Sequence, residues 1–174
     1  ISLSPTVQDQ QQAIQNAMDA LRGQENRGLV TLGPALKLAD FSTPENVITL
    51  VSAPHSQVFP LADLVITHAG HGTLMRALAH GLPMICLPMG RDQNDNAVKI
   101  AHHGCGIQLS PKSKPEKIQK AVKQILSEQR FQAAAKSFQS ELSSLPGQDE
   151  VLKELEHLLK PVSESSWSQE KAAV

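Results

Sequence analysis

The sequence predicts an α/β fold: an open, doubly wound sheet of parallel strands with helices on both faces. Three observations carry that expectation. Short aliphatic runs recur along the 174-residue chain, each is followed by apolar residues at helical spacing, and Gly or Pro stands at nearly every junction. Parallel neighbours need a crossover, and helical crossovers cover both faces of the sheet, so the strands between them read as continuous apolar runs.

The elements follow in order. Thr6, with Asp9 three residues on, resembles a helix N-cap, and Ile14, Ala17, Met18 and Leu21 recur at helical spacing up to Gly23, so residues 7–22 read as an amphipathic helix. Residues 29–32, closed by Gly33 and Pro34, have the length and β-branching of a buried strand; residues 47–51 and 64–67 read likewise. The alternation is then strict. A Gly-spaced loop at 68–72 leads to a helix from Thr73 to His80, Gly81 stops it, and a strand follows at 84–87. Pro88 opens a second loop, a helix runs from Asp92 to His103 up to Gly104, and residues 106–109 form another strand. Ser113, Pro115 and Glu116 form a capping box with Pro in the first turn. Ile118, Ala121, Val122, Ile125 and Leu126 supply the buried stripe of the helix it opens, and the chain is helical through about Leu159. One domain is expected over residues 1–160, with a Ser- and Glu-rich tail over 161–174.

Composition narrows the function classes. Sixteen Lys plus Arg against seventeen Asp plus Glu leave a net charge of −1, which offers no electrostatic footprint for nucleic acid or an acidic membrane surface. Four Phe, one Trp and no Tyr cannot build a base-stacking platform, so the core is aliphatic. Cys86 and Cys105 fall outside any C-x-x-C arrangement and read as reduced thiols. No apolar run approaches the roughly 18 residues of a membrane span, and the N-terminus has no signal-peptide pattern. A cytoplasmic location is expected, and the start at Ile1, inside an apolar–polar alternation, reads as a piece of a longer chain.

In such a sheet ligands bind beyond the carboxyl ends of the strands, near a topological switch point. Three loops therefore matter: Ser4-Pro5-Thr6, the segment from His68 to Thr73, and the segment from Pro88 to Gln93. In the middle loop Gly70 and Gly72 allow close backbone approach, and Thr73 opens a helix whose free N–H groups favour an anion, with phosphate the natural candidate. His68, at the strand end, either gives that phosphate a donor or a positive charge or merely closes the strand. Asp92 and Gln93 either form a pair that reads vicinal hydroxyls of a sugar or serve as an N-cap with a solvated amide. Ser4 and Thr6 either donate to phosphate or cap the first helix.

The run from His68 to Ala97 combines H-x-G-x-G-T, a G-x-P before a strand, and P-x-x-x-D-Q-x-x-N-A. It resembles the signature of nucleotide-sugar-dependent glycosyltransferases of the GT-B fold, most of all those that glycosylate small lipophilic acceptors. Residues 53–60 and 2–4 resemble the preceding base-side segment and the opening strand and loop of the donor half. The resemblance implies a Rossmann-like C-terminal half of such an enzyme. It implies that Ser4, Thr6, His68, Gly70, Gly72 and Thr73 hold the donor diphosphate, that Asp92 and Gln93 hold the sugar, and that Ser52, Ala53 and His55 border the base. It also implies that the acceptor pocket and the general base lie on an N-terminal half, so that no catalytic base is in this chain and the chain alone binds donor without transferring. Two positions depart from the family pattern. Many relatives carry Glu, which binds ribose hydroxyls, where Arg76 stands; Arg only donates, and it is left facing solvent or pairing with a phosphate. Ser52 stands where plant relatives place a Trp that stacks on the base.

The expected reaction moves a sugar from UDP or TDP to an acceptor hydroxyl, inverting the anomeric centre. Charge developing on the leaving phosphate is met by the helix N-terminus and His68, so neither a metal nor a cofactor is expected, the nucleotide sugar being a co-substrate. His68 with His71, and His102 with His103, lack the further ligands of a zinc site. Other classes remain: a nicotinamide-dependent oxidoreductase, although Met75 occupies the third glycine position of G-x-G-x-x-G; a nucleotide-sugar epimerase; a stand-alone donor subunit of a split glycosyltransferase; and a binding domain without chemistry.

Overall fold

The structure is a computed structural model, and it describes residues 1–3, 10–145 and 148–158. Strands β1 (Gly28–Thr31) and β2 (Val47–Leu50) pair in parallel. So do β3 (Val65–Thr67), β4 (Met84–Cys86) and β5 (Gly106–Gln108), in that spatial order. Ser2 joins the two groups through parallel bridges to Thr31 and Thr67. The resulting order is β2–β1–(residues 1–3)–β3–β4–β5. From the Ser2 segment the chain winds first to one side and then crosses to the other, so the direction reverses between Ser2 and β3. That gap is the switch point at which the doubly wound fold opens a crevice.

The helices are α1 (Gln11–Asp19), a single turn α2 (His55–Val58), α3 (His71–Ala79), α4 (Gln93–His102), α5 (Pro115–Ser127), α6 (Gln129–Ser144) and α7 (Gln148–Leu158). Successive strand residues point to opposite faces, and the core divides accordingly. Ile66, Ile85 and Leu87 pack with Ile14, Met18, Ile118 and Ile125 of α1 and α5 on one face. Val65, Met84 and Cys86 pack with Leu74, Leu78, Ala97 and Ile100 of α3 and α4 on the other. Burial pushes the Cys86 thiol up to about 12 and, with Glu141 adding to the effect, the Cys105 thiol up to about 11, so both are inert packing groups. Two amides of α6 hold the far end of α3: Gln132 Nε2 donates to the Gly81 carbonyl at 2.8 Å and Gln139 Nε2 to the Ala79 carbonyl at 3.1 Å.

Two local expectations change. Helix α3 begins at His71 rather than at Thr73, which places Gly72 and Thr73 inside its first turn. The N-cap of α5 is Lys114, not Ser113: Pro115 takes the first helical position, so Ser113 falls one residue too early and its Oγ is buried with no hydrogen-bond partner among the described residues. The expected cap at Thr6 lies outside the described residues.

Residues Ile1–Ser143 form one compact unit, and a second begins at Ser144. Of that second unit the described helix is α7, and the expected tail over 161–174 lies outside the described residues. Among the described residues no helix is long and apolar enough to cross a membrane.

Candidate functional site

The loop after β3 is built around a histidine and a missing side chain. His68 leaves the strand nearly enclosed, at 8% exposure. Gly70 follows with ordinary backbone angles, φ −65° and ψ 136°, so no conformational need explains it. Its reason is space: a Cβ there would fall inside contact distance of His68 Nε2 and 3.0 Å from Cε1. The imidazole lies directly beneath the loop because residue 70 has no side chain. The residue that does take a left-handed conformation is Ala69, with φ 64°, fully buried. A non-glycine residue held there costs about 1–3 kcal/mol and persists only where its surroundings impose it. Here the Ala69 amide donates to Thr67 Oγ1 at 3.3 Å, and the Ala69 carbonyl accepts from Asn96 Nδ2 at 3.1 Å.

Beyond Gly70 the chain enters α3 with no side-chain cap. Thr73 and Leu74 both donate to the Gly70 carbonyl at 3.1 Å, so the amides left without a partner within the helix are those of His71 and Gly72. Gly72 is exposed, and a Cβ there would meet Arg76 Nη1 only at ordinary contact distance, 3.9 Å. The geometry is that of an anion cradle: an open helix N-terminus with a histidine below it. Burial pushes the His68 pKa below the usual histidine value, against the raising influence of the Ser2 backbone and the Asp92 carboxylate. The ring is neutral at neutral pH and contributes a donor rather than a positive charge. The Ser2 backbone lies against the ring, and among the described residues no atom meets hydrogen-bond geometry at Nδ1.

The loop after β4 stands beside the first. Gln93 is 4% exposed, and its Oε1 accepts from the Met89 amide at 2.8 Å, so its carbonyl closes its own loop and only the amide nitrogen remains to donate outward. Asp92 occupies the N-cap position of α4 but makes no capping bond; its Oδ2 accepts from Asn96 Nδ2 at 2.8 Å. Arg91, just before it, is the second non-glycine residue with positive φ, at 56°. Asn96 thus ties the two loops together, with one amide group shared between the Ala69 carbonyl and the Asp92 carboxylate. The sequence motif contained this Asn without assigning it a task. Its spacing of four from Asp92 on one helix face was the available signal. Asn96→Ala removes both bonds and is expected to lower stability by about 1–3 kcal/mol; a urea titration with an unshifted midpoint would contradict this.

On the base side, Ser52 is exposed and Ala53 half-buried. His55 stacks on Phe59 with ring centroids 4.5 Å apart and planes 12° apart, and its Nε2 lies 3.2 Å from Ser2 Oγ. Burial first, and the Arg76 guanidinium second, hold the His55 pKa below the usual value. Ser4 and Thr6 lie outside the described residues. A cleft of about 710 Å³ between β1 and β3 includes Ala53 and His55 but none of the residues of the two loops. Among the described residues no three His, Cys, Asp or Glu gather as a metal site would require.

With this geometry in hand, the likenesses to known proteins are specific. The family described as erythromycin biosynthesis protein CIII-like, C-terminal domain, matches residues 17–158. Demethyllactenocin mycarosyltransferase of Streptomyces fradiae is 27% identical over 165 residues, covering 94% of this chain and 36% of that protein. The 4'-demethylrebeccamycin synthase of Lentzea aerocolonigenes is 28% identical over 137 residues, covering 78% of this chain and 32% of that protein. Among solved structures, the calicheamicin glycosyltransferase CalG4 superposes with a TM-score of 0.86 at 22% identity, covering 93% of this chain and 42% of that one. The spinosyn rhamnosyltransferase SpnG, solved in complex with thymidine diphosphate, superposes with a TM-score of 0.78 at 23% identity, covering 89% and 44%. The chain spans about a third of the length of these curated relatives.

Proposed function

This chain belongs to the erythromycin biosynthesis protein CIII-like C-terminal domain family, and from that premise we propose that it is the donor-binding part of a glycosyltransferase that takes a sugar from UDP or TDP. The observation that carries the proposal is the uncapped N-terminus of α3 standing over His68 at the switch point of the sheet. In the proposed complex the diphosphate lies against the first-turn amides of His71 and Gly72, with Thr73 beside them and the neutral His68 ring donating from below. The free Oδ1 of Asp92 and the amide nitrogen of Gln93 face sugar hydroxyls, while residues 52–55 border the base.

Breaking the bond between the anomeric carbon and the diphosphate places negative charge on the leaving phosphate. Fixed donors already aimed at that phosphate stabilise the transition state without reorganising, and losing one such donor typically costs about 2.7–4 kcal/mol. This supports departure of the diphosphate without a metal; direct attack of an acceptor hydroxyl with inversion is the transfer we propose. The acceptor and the base that deprotonates it belong to an acceptor half outside these residues. The proposed setting is the cytoplasm, where nucleotide sugars are co-substrates.

Ligand-linked stabilisation is the direct measurement. TDP or UDP at a hundred times its Kd is expected to add about 2.7 kcal/mol to the stability of the chain. His68→Ala and Asp92→Ala should each reduce that gain at fixed nucleotide-sugar concentration. An undiminished gain in both variants would remove the site assignment.

A further inference from the structure

We propose that Asn96 is a positioning residue of this site, whose single amide group aims the Asp92 carboxylate at the donor sugar and pins the Ala69–Gly70 turn over His68; this rests on the donor-site reading above. Asn96 stands half-buried on α4, one helical turn beyond Asp92. Its Nδ2 donates at 2.8 Å to Asp92 Oδ2 and at 3.1 Å to the Ala69 carbonyl. A primary amide nitrogen carries two N–H groups, and here each has its own acceptor. The backbone carbonyl and the ionised carboxylate can only accept, so the nitrogen must face both of them and the amide is fixed in that orientation.

Both acceptors lie where the loops need fixing. Asp92 is exposed and makes no capping bond at the start of α4, and among the described residues its carboxylate accepts from Asn96 alone. That one bond occupies Oδ2, stops the carboxylate from rotating and leaves Oδ1 for a ligand. Ala69 is fully buried at φ 64°, a conformation that persists only where its surroundings impose it. Gly70, the next residue, roofs the His68 ring, so a shift of this turn moves the phosphate side as well. Sugar and diphosphate are thereby gripped by one interlocked unit. A group held in its bound orientation before the ligand arrives spares the ligand the cost of ordering it.

Calorimetric titration of the 174-residue chain with TDP and with TDP-glucose separates the outcomes. Asn96→Ala is expected to weaken TDP-glucose about tenfold more than TDP, the loss that follows when a hydrogen bond to a charged group goes unmade. In an Asp92→Ala background the same substitution should weaken the two ligands alike, because no carboxylate remains to be aimed. Asn96→Ser keeps one donor and should show the same sugar-selective loss to a smaller degree, so a poorly folding Ala variant does not block the test. Weakening of both ligands alike, or of neither, in the otherwise unsubstituted chain would make Asn96 a support of the loops only. A sugar-selective loss that survives in the Asp92→Ala background would put its amide on the sugar directly. Either result overturns the proposal with the donor site intact. Failure of the unsubstituted chain to bind TDP would overturn the donor site itself, and the role of Asn96 with it.

Discussion

Gly70→Ala is expected to weaken TDP binding at least about tenfold, as much as His68→Ala does, although residue 70 offers a ligand no side chain. The added methyl would occupy the position of the His68 ring, with Nε2 and Cε1 inside or at the edge of contact. The ring would have to leave, and a loop held by Asn96 at Ala69 has little room to yield instead. Loss of one hydrogen bond to a charged ligand corresponds to about 1.5–3 kcal/mol, or roughly ten- to a hundredfold in Kd. The double variant is the discriminating case. In a His68→Ala background the space beneath residue 70 is empty, so Gly70→Ala should there cost almost nothing further. Such non-additivity is the mark of two residues acting through one contact. Additive losses, measured by the same titrations, would mean that Gly70 is needed for approach of the ligand and not for room for the ring.

The largest effect on stability is expected at Gly106. It pairs with Met84 in the β4–β5 ladder, and a Cβ there would lie well inside contact with the Met84 carbonyl oxygen and 3.0 Å from Ile100 Cγ2. The obstacle is backbone at a buried strand position, so no flexible side chain can swing aside. Overpacking costs about 1–3 kcal/mol where side chains can adjust, and Gly106→Ala should lie at or above the upper end. For a chain of this size about 3 kcal/mol corresponds to a fall in Tm of roughly 10 °C. Gly23→Ala makes an informative comparison, because a Cβ there meets nothing within 4 Å and the strain comes only from φ 66°. A scan in which Gly106→Ala melts like the unsubstituted chain would show that β4 and β5 can separate without penalty.

Much of this architecture is legible in the residue pattern. Buried parallel strands need apolar residues on both faces, so residues 64–67 and 84–87 stand out, and Gly81 and Gly104 end their helices by chemistry local to each turn. Element ends were less legible, because they depend on partners. Pro115 moved the start of α5 past Ser113, and α3 opened at His71 because Gly70 already accepts its first bond. One glycine of the loop after β3 has a physical reason that spacing did not show. Gly70 is not in a left-handed conformation; it leaves room for the His68 ring, and the left-handed residue is Ala69.

The alternation of apolar runs and helices determined the fold class, and the His, Gly, Asp and Gln residues at loop positions marked which strand ends form the candidate site, since both depend on neighbours within a few residues. Only the tertiary structure decided which of these groups meet. Asn96 reaches Ala69 across 27 positions, Ser2 bridges β1 to β3, and His55 Nε2 comes within 3.2 Å of Ser2 Oγ. Contacts of that kind are set by how the sheet twists and how helices seat on it, and no local spacing in the chain encodes them.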